Sequence, residues 1–254
     1  MGETILRVAI DAGHGINTPG KRTPDGEREW SFNNAVALAL VAELLRYKNV
    51  EILRLDDPTG KIDVPLTERT RKANAWCADL LISVHHNANK AVWGDWGGVE
   101  TFVQTGTGGK SVEVAKAVQP RIVQAMGLCD RGVKQANLHM LRESKMPAIL
   151  TEGGFMDSTT DIGALRDNTK LQAQGKAIAD GIAEVYSLKL KEAEQVSAKT
   201  EDYKLTANDE KVIADLKRWG ITDGKNPMRP VTQLYLWHVV HGALQAIKDG
   251  KVTQ

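Results

Sequence analysis

Through its first 188 residues the chain alternates short apolar, β-branched runs with longer segments of helical period, and this alternation restricts its fold more than any other feature. "ILRVAI" (Ile5–Ile10), "VEILRL" (Val50–Leu55), "LISVHHNAN" (Leu81–Asn89), "GVETFVQT" (Gly98–Thr105), "ANLHML" (Ala136–Leu141) and "PAILTEGGF" (Pro147–Phe155) read as strands. Between and after them, Ser31–Tyr47, Pro65–Cys77, Lys110–Gly127 and Leu171–Leu188 read as helices, the second with Thr67 as N-cap and the third running through Pro120. Such alternation predicts an α/β fold, a mostly parallel sheet covered by helices on both faces. In sheets of this kind, function collects in the loops at the carboxyl ends of the strands.

Three of the strand ends carry chemistry. The first leads into "DAGHG" and delivers His14 between two glycines. The third delivers His85 and His86, and "PAILTEGGF" delivers Glu152. A further acid, Glu29, stands just before the first helix. Two histidines and a carboxylate are a common ligand set for catalytic zinc, because three protein ligands leave one position open for water. A second, unligated carboxylate is then needed to take that water's proton and pass it to the leaving amine. Each of these residues also has a structural reading: a hydrogen-bonded loop histidine, or an acid in the first turn of a helix where the macrodipole favours it. Glu152 is harder to read that way, since an acid directly after "AILT" is desolvated unless it has a partner.

The formal net charge is +1, and no basic cluster is interleaved with aromatics, so nucleic acid and anionic membranes are not expected as partners. "MGETILRVAI" lacks the basic start and long apolar segment of a signal peptide, and no segment approaches the apolar length of a membrane helix. The expectation is cytoplasmic accumulation, followed by release through another agent if the protein acts outside. Cys77 and Cys129 make neither a disulfide framework nor a zinc knuckle and are expected to be small buried apolar residues.

"IDAGHG", "GEREWSFNNAVA", "PLTERTRKANAWCADLLISVHHNA" and "MPAILTEGGFMDS" occur in that order, and together they resemble the zinc-dependent N-acetylmuramoyl-L-alanine amidases, a family that includes bacterial autolysins and phage endolysins. The resemblance runs from Ile5 to Tyr186 and implies a twisted sheet of about six strands flanked by helices. It implies one zinc ion, with ligands falling on His14, Glu29 and His85, and a catalytic acid–base on Glu152. Glu29 is preferred to Glu27 because Asn33 follows it at the family's spacing. His85 is preferred to His86 because neighbours in a strand point to opposite sides. His86 stands where the family has a small residue, so it is read as lining the substrate groove or as a solvent-facing loop residue. The implied substrate is peptidoglycan, cut between the lactyl group of N-acetylmuramic acid and L-alanine of the stem peptide. Asn87 and Arg142 are further substrate-contacting candidates. Trp93 and Trp96, in "VWGDWGG", could stack on sugar or anchor the loop. His139, alternating with Leu138 and Met140, is read as structural. The other two classes weighed are a catalytically silent wall-binding protein and a zinc carboxypeptidase acting on peptidoglycan peptides.

After Leu188 the character changes. Residues 189–204 are charged and poor in apolar side chains, as expected of a linker. Residues 205–254 read as a small, mostly helical C-terminal module. "LKRWGITDGKNPMRPVTQLYLWHVV" resembles a single S-layer-homology unit, with Gln233 where that family's arginine is expected. It is read as a cell-wall-targeting module for a secondary wall polymer, or as a self-association appendage. His238 and His241, three apart on a helix, are read as part of a packing face.

Overall fold

The computed structural model describes residues 5–191. Six strands form one sheet: β1 (Leu6–Ala12), β2 (Val50–Arg54), β3 (Leu80–Asn87), β4 (Val99–Gln104), β5 (Asp130–Ala136) and β6 (Ala148–Phe155). Their order is β2-β1-β3-β6-β4-β5, and every pairing is parallel except β4 with β6. Helices α1 (Glu29–Leu44), α2 (Leu66–Ala75), α3 (Lys110–Met126), α4 (His139–Arg142), α5 (Ile162–Leu165) and α6 (Asn168–Val185) complete the fold. The expected α/β architecture is therefore present. No helix among the described residues is long and apolar enough to cross a membrane.

Strand alternation divides the core in two. Val8, Ile10, Ile82, Val84, Ile149 and Val103 face α1, α3 and α6, whose Val36, Leu40, Val118, Ile122, Ile178 and Ile182 complete a large apolar layer. Ala9, Leu81 and Leu150 face the other way, against Ala73 of α2 and Met140 and Leu141 of α4. This second layer is small because α2 and α4 are short, and the carboxyl-end half of that face carries polar side chains. Full burial of each Leu or Ile contributes about 1.5–3 kcal/mol, so the first layer dominates stability.

α6 lies between α1 and α3, and glycine sets both approaches. A Cβ on Gly175 would stand 2.4 Å from the Val36 carbonyl oxygen, and one on Gly181 would stand 2.7 Å from Val118 Cγ2. Backbone cannot yield as a flexible side chain can. Gly175→Ala is accordingly expected to destabilise by about 1–3 kcal/mol, although alanine favours helix; urea unfolding of the two proteins measures it.

Several local expectations are corrected. "ANLHML" is not a strand. The fifth strand lies earlier, at Asp130–Ala136, and His139 opens the one-turn helix α4. β5 is at the sheet's edge, so "DRGVKQA" needs no apolar alternation, whereas Met140 and Leu141 are buried from a helical turn. α2 begins after Pro65, and Thr67 makes no cap. Cys77 and Cys129 are exposed, each in a loop just past a helix end. The linker and module read over 189–254 lie almost wholly outside the described residues, as do His238 and His241.

Candidate active site

The ends of β1, β3 and β6 bring His14, His85 and Glu152 together on the face that carries α2 and α4. Register does this: Asp11 pairs with Ser83, and His85 pairs with Glu152. Glu29, the first residue of α1, reaches the same point and is almost fully buried. His85 Nδ1 lies 3.0 Å from Glu29 Oε1, and His14 Nε2 lies 3.3 Å from Glu29 Oε2. One ligand atom from each of the three residues falls within 4.8 Å of the others. Zinc bonds of about 2.0–2.1 Å in tetrahedral geometry place neighbouring donors about 3.3 Å apart, so spacing and chemistry both fit one such ion. Glu27, the rival acid, is exposed and accepts from Arg166 Nε at 2.7 Å instead.

The turn holding His14 is strained and pinned. His14 itself has φ 66°, in the left-handed region that side chains other than Gly, Asn and Asp rarely occupy. Its neighbouring glycines serve space rather than the turn: a Cβ on Gly13 would fall 2.0 Å from the His85 ring, and one on Gly15 3.0 Å from the Gly60 carbonyl. Arg69 of α2 holds the turn from below. Its buried guanidinium donates to Asp11 Oδ1 (2.6 Å), to the carbonyls of Ala12 (2.9 Å) and His14 (3.0 Å), and to Asp63 Oδ1 (3.0 Å), while Nε donates to the Val64 carbonyl (2.7 Å). Sequence reasoning did not single out Arg69. The signal was its place beside Thr70 and Ala73 on one face of the helix, where a charge among inward positions demands a partner.

Burial sets the electrostatics of the site. Burial opposes charge on Glu29, yet hydrogen bonds from His14 and His85 hold its carboxyl well below the usual carboxylate range. Burial also opposes charge on His85, and Glu29 outweighs it, raising that imidazole. Glu152 has no such hydrogen bond. Its Oε2 is buried without a partner among the described residues, and burial pushes its carboxyl up to about 8.

His86 corrects the sequence reading. It is 1% exposed and points away from the site, into the layer under α1 and α6. Its Nδ1 lies 2.8 Å from Asn33 Oδ1, and its Nε2 lies 3.3 Å from Gln174 Oε1. Burial holds its ring down to about 4, so it is neutral and cannot touch substrate. Asn33 in turn donates to the Gly13 carbonyl (3.1 Å) and to Glu29 Oε1 (3.3 Å), tying this buried chain to the acid of the site. Asn87 donates to Glu100 Oε1 at 2.7 Å. Arg142 lies on α4, exposed and engaged with Asn137 and Glu143. Trp96 anchors its loop through Asp157 Oδ1 (2.8 Å), whose other oxygen accepts from the amides of Asn89, Lys90 and Ala91. Trp93 is exposed, with the Arg166 guanidinium over its ring. His139 touches Thr70 Oγ1 at 3.3 Å, away from the cluster.

The family model described as N-acetylmuramoyl-L-alanine amidase matches residues 8–184. The chain belongs to that family. Among similar proteins, the N-acetylmuramoyl-L-alanine amidase CwlM of Bacillus licheniformis is 33% identical over 219 residues, covering 85% of this chain and 83% of the relative. The endolysin of Bacillus phage SPP1 is 33% identical over 186 residues, covering 72% of this chain and 67% of the endolysin. The crystal structure of an N-acetylmuramoyl-L-alanine amidase from Clostridium difficile 630 superposes with a TM-score of 0.67 at 30% identity, over 73% of this chain and 98% of that one. The reaction of this amidase is hydrolysis of the amide between N-acetylmuramic acid and L-alanine, and peptidoglycan is its substrate.

Proposed function

We propose that this amidase works with a single zinc ion held by His14, Glu29 and His85, with Glu152 as general base and then acid, and that it serves as a phage or prophage endolysin. The observation that carries the reading is the convergence of three donor atoms within 4.8 Å, with Glu152 in register beside His85. A zinc ion held there lowers the pKa of a water and polarises the scissile carbonyl. The protein's part is positional and protonic. Glu29 on α1, His85 on β3 and His14 in the turn after β1 are each positioned by a different element. Glu152 Oε2, which has no other partner among the described residues, takes the proton of the attacking water and delivers it to the departing amine of L-alanine. Burial raises this carboxyl above the usual carboxylate range, which favours its taking up that proton. Likeness to the SPP1 endolysin supports a lysin that gathers in the cytoplasm and reaches the wall after holin-type release. In this reading residues 205–254 bring the enzyme to a secondary wall polymer.

Digesting purified peptidoglycan and mass-analysing the products tests the reaction. The expected products are stem peptides with free L-alanine amino termini. Loss of carboxy-terminal residues instead would mark a carboxypeptidase, and binding without release a silent wall-binding protein. Metal content tests the site. His85→Ala is expected to lose bound zinc together with activity, whereas His86→Ala keeps zinc at one equivalent. Chelation of the wild-type protein should abolish turnover, and added zinc should restore it. If His86→Ala instead strips the metal while His85→Ala keeps it, the ligand assignment is wrong.

A further inference from the structure

The two strands beyond Glu152 carry a charge cluster that the hydrolytic chemistry does not use. Glu100 of β4 is the register partner of Glu152 across the antiparallel pair, so the two side chains share a face. Phe102, two residues on, shares that face and pairs with Lys134 of β5. Glu152, Glu100 and Lys134 thus form a row that leads from the site towards the sheet edge, away from His14 and Glu29.

Glu100 is buried at 4% exposure and accepts from Asn87 Nδ2 (2.7 Å), Arg131 Nε (3.0 Å) and Lys134 Nζ. One cation would neutralise this carboxylate, yet two are present, and the cluster keeps a surplus positive charge. Arg131, with a side chain 36% exposed, also bonds the Gly97 carbonyl and lies over the Phe155 ring. Lys134 has fewer partners. Its side chain is 39% exposed, and Glu100 occupies only one of the three directions in which an ammonium can donate.

Peptidoglycan chemistry supplies an anion of matching reach. The second residue of the stem is a glutamate joined through its side-chain carboxyl, so its α-carboxyl is left as a free acid or an amide. Measured from the scissile nitrogen, that group lies two residues out, at most about 7 Å along an extended chain. Two strand spacings from β6 to β5, with the two-residue offset between Glu152 and the level of Lys134, put the two backbones about 12 Å apart, and the side chains of Glu152 and Lys134 close the difference. We propose that Lys134, fixed by Glu100 and backed by Arg131, reads the α-carboxyl of the second stem residue and makes this amidase favour the free acid over the amide. The inference rests on the proposed function, since it assumes that Glu152 marks the scissile bond.

The test uses the full chain and two synthetic muramyl tripeptides that differ only in whether the second residue carries an α-carboxylate or a carboxamide. Wild type is expected to show about a tenfold higher kcat/KM for the acid, the worth of one charge-assisted hydrogen bond, expressed mainly in KM. Lys134→Gln should bring the ratio close to one, and Lys134→Arg should keep a preference for the acid. Binding of both peptides to Glu152→Gln, measured by calorimetry, should show the same preference without turnover. Equal cleavage of both substrates by wild type, or a ratio unmoved in a folded Lys134→Gln protein, overturns this inference and leaves the amidase reading intact. Failure of wild type to cleave either peptide, with no binding to Glu152→Gln, overturns both.

Discussion

Glu152→Gln is expected to keep the fold and the bound metal and to lose turnover by about 10²–10⁴-fold, the range that general acid–base groups contribute. Glutamine preserves the shape of the side chain but cannot accept a proton. Glu152 is not one of the three convergent donors, so metal content should stay at one equivalent. Stability should not fall. A carboxyl raised to about 8 is already mostly uncharged at neutral pH, and a neutral amide of the same shape takes its place. The measurements are product release from peptidoglycan, metal content by elemental analysis, and thermal unfolding with metal present. A variant that loses metal and activity together would make Glu152 a ligand instead of a base.

Arg69→Met is expected to be the most damaging substitution for stability, costing about 3–5 kcal/mol, the range seen when one member of a buried ion pair is removed. The guanidinium and Asp11 are both essentially inaccessible, and Arg69 also satisfies the carbonyls of Ala12 and His14. Methionine fills the volume but leaves Asp11 charged, with only Ser83 Oγ as donor. The His14 turn, already in the left-handed region, loses its tether as well, so metal affinity should fall along with stability. Chemical denaturation gives the first effect, and competition with a chromophoric chelator gives the second. Adding Asp11→Asn to Arg69→Met should recover part of the stability, because the uncompensated charge is gone; strict additivity of the two changes would show that the pair does not act as a unit.

Much of the site is legible in the linear order of residues. Alternating strands and helices imply a parallel sheet, and a parallel sheet gathers strand ends, so His14, His85 and Glu152 can be grouped without any local spacing motif. The two-residue period of a strand separates His85 from His86, and the structure buries the latter on the opposite side. The partner of each group is less legible. Glu27 and Glu29 stand two apart in one stretch, and only the packing of α1 shows the first exposed beside Arg166 and the second buried against two imidazoles. Asn33 is visible as a spacing marker but not as the link from Glu29 to His86. Likewise, "ANLHML" alternates as a strand does, and nothing local shows that Met140 and Leu141 both reach the core from one helical turn.

The sequence by itself determined the α/β class, five of the six strand positions, the face of β3 that carries His85, and the oddity of an acid inside an apolar strand. These follow from periodicity and desolvation, which act between residues close in the chain. Only the tertiary structure decided that β4 runs against β6, that His14 takes the left-handed turn while its glycines make room, that Arg69 holds that turn, and that Glu100 stands opposite Glu152 with a surplus cation behind it. Each of these depends on which groups from distant segments come to share a low-dielectric space, and a one-dimensional pattern does not encode that proximity until the chain has packed.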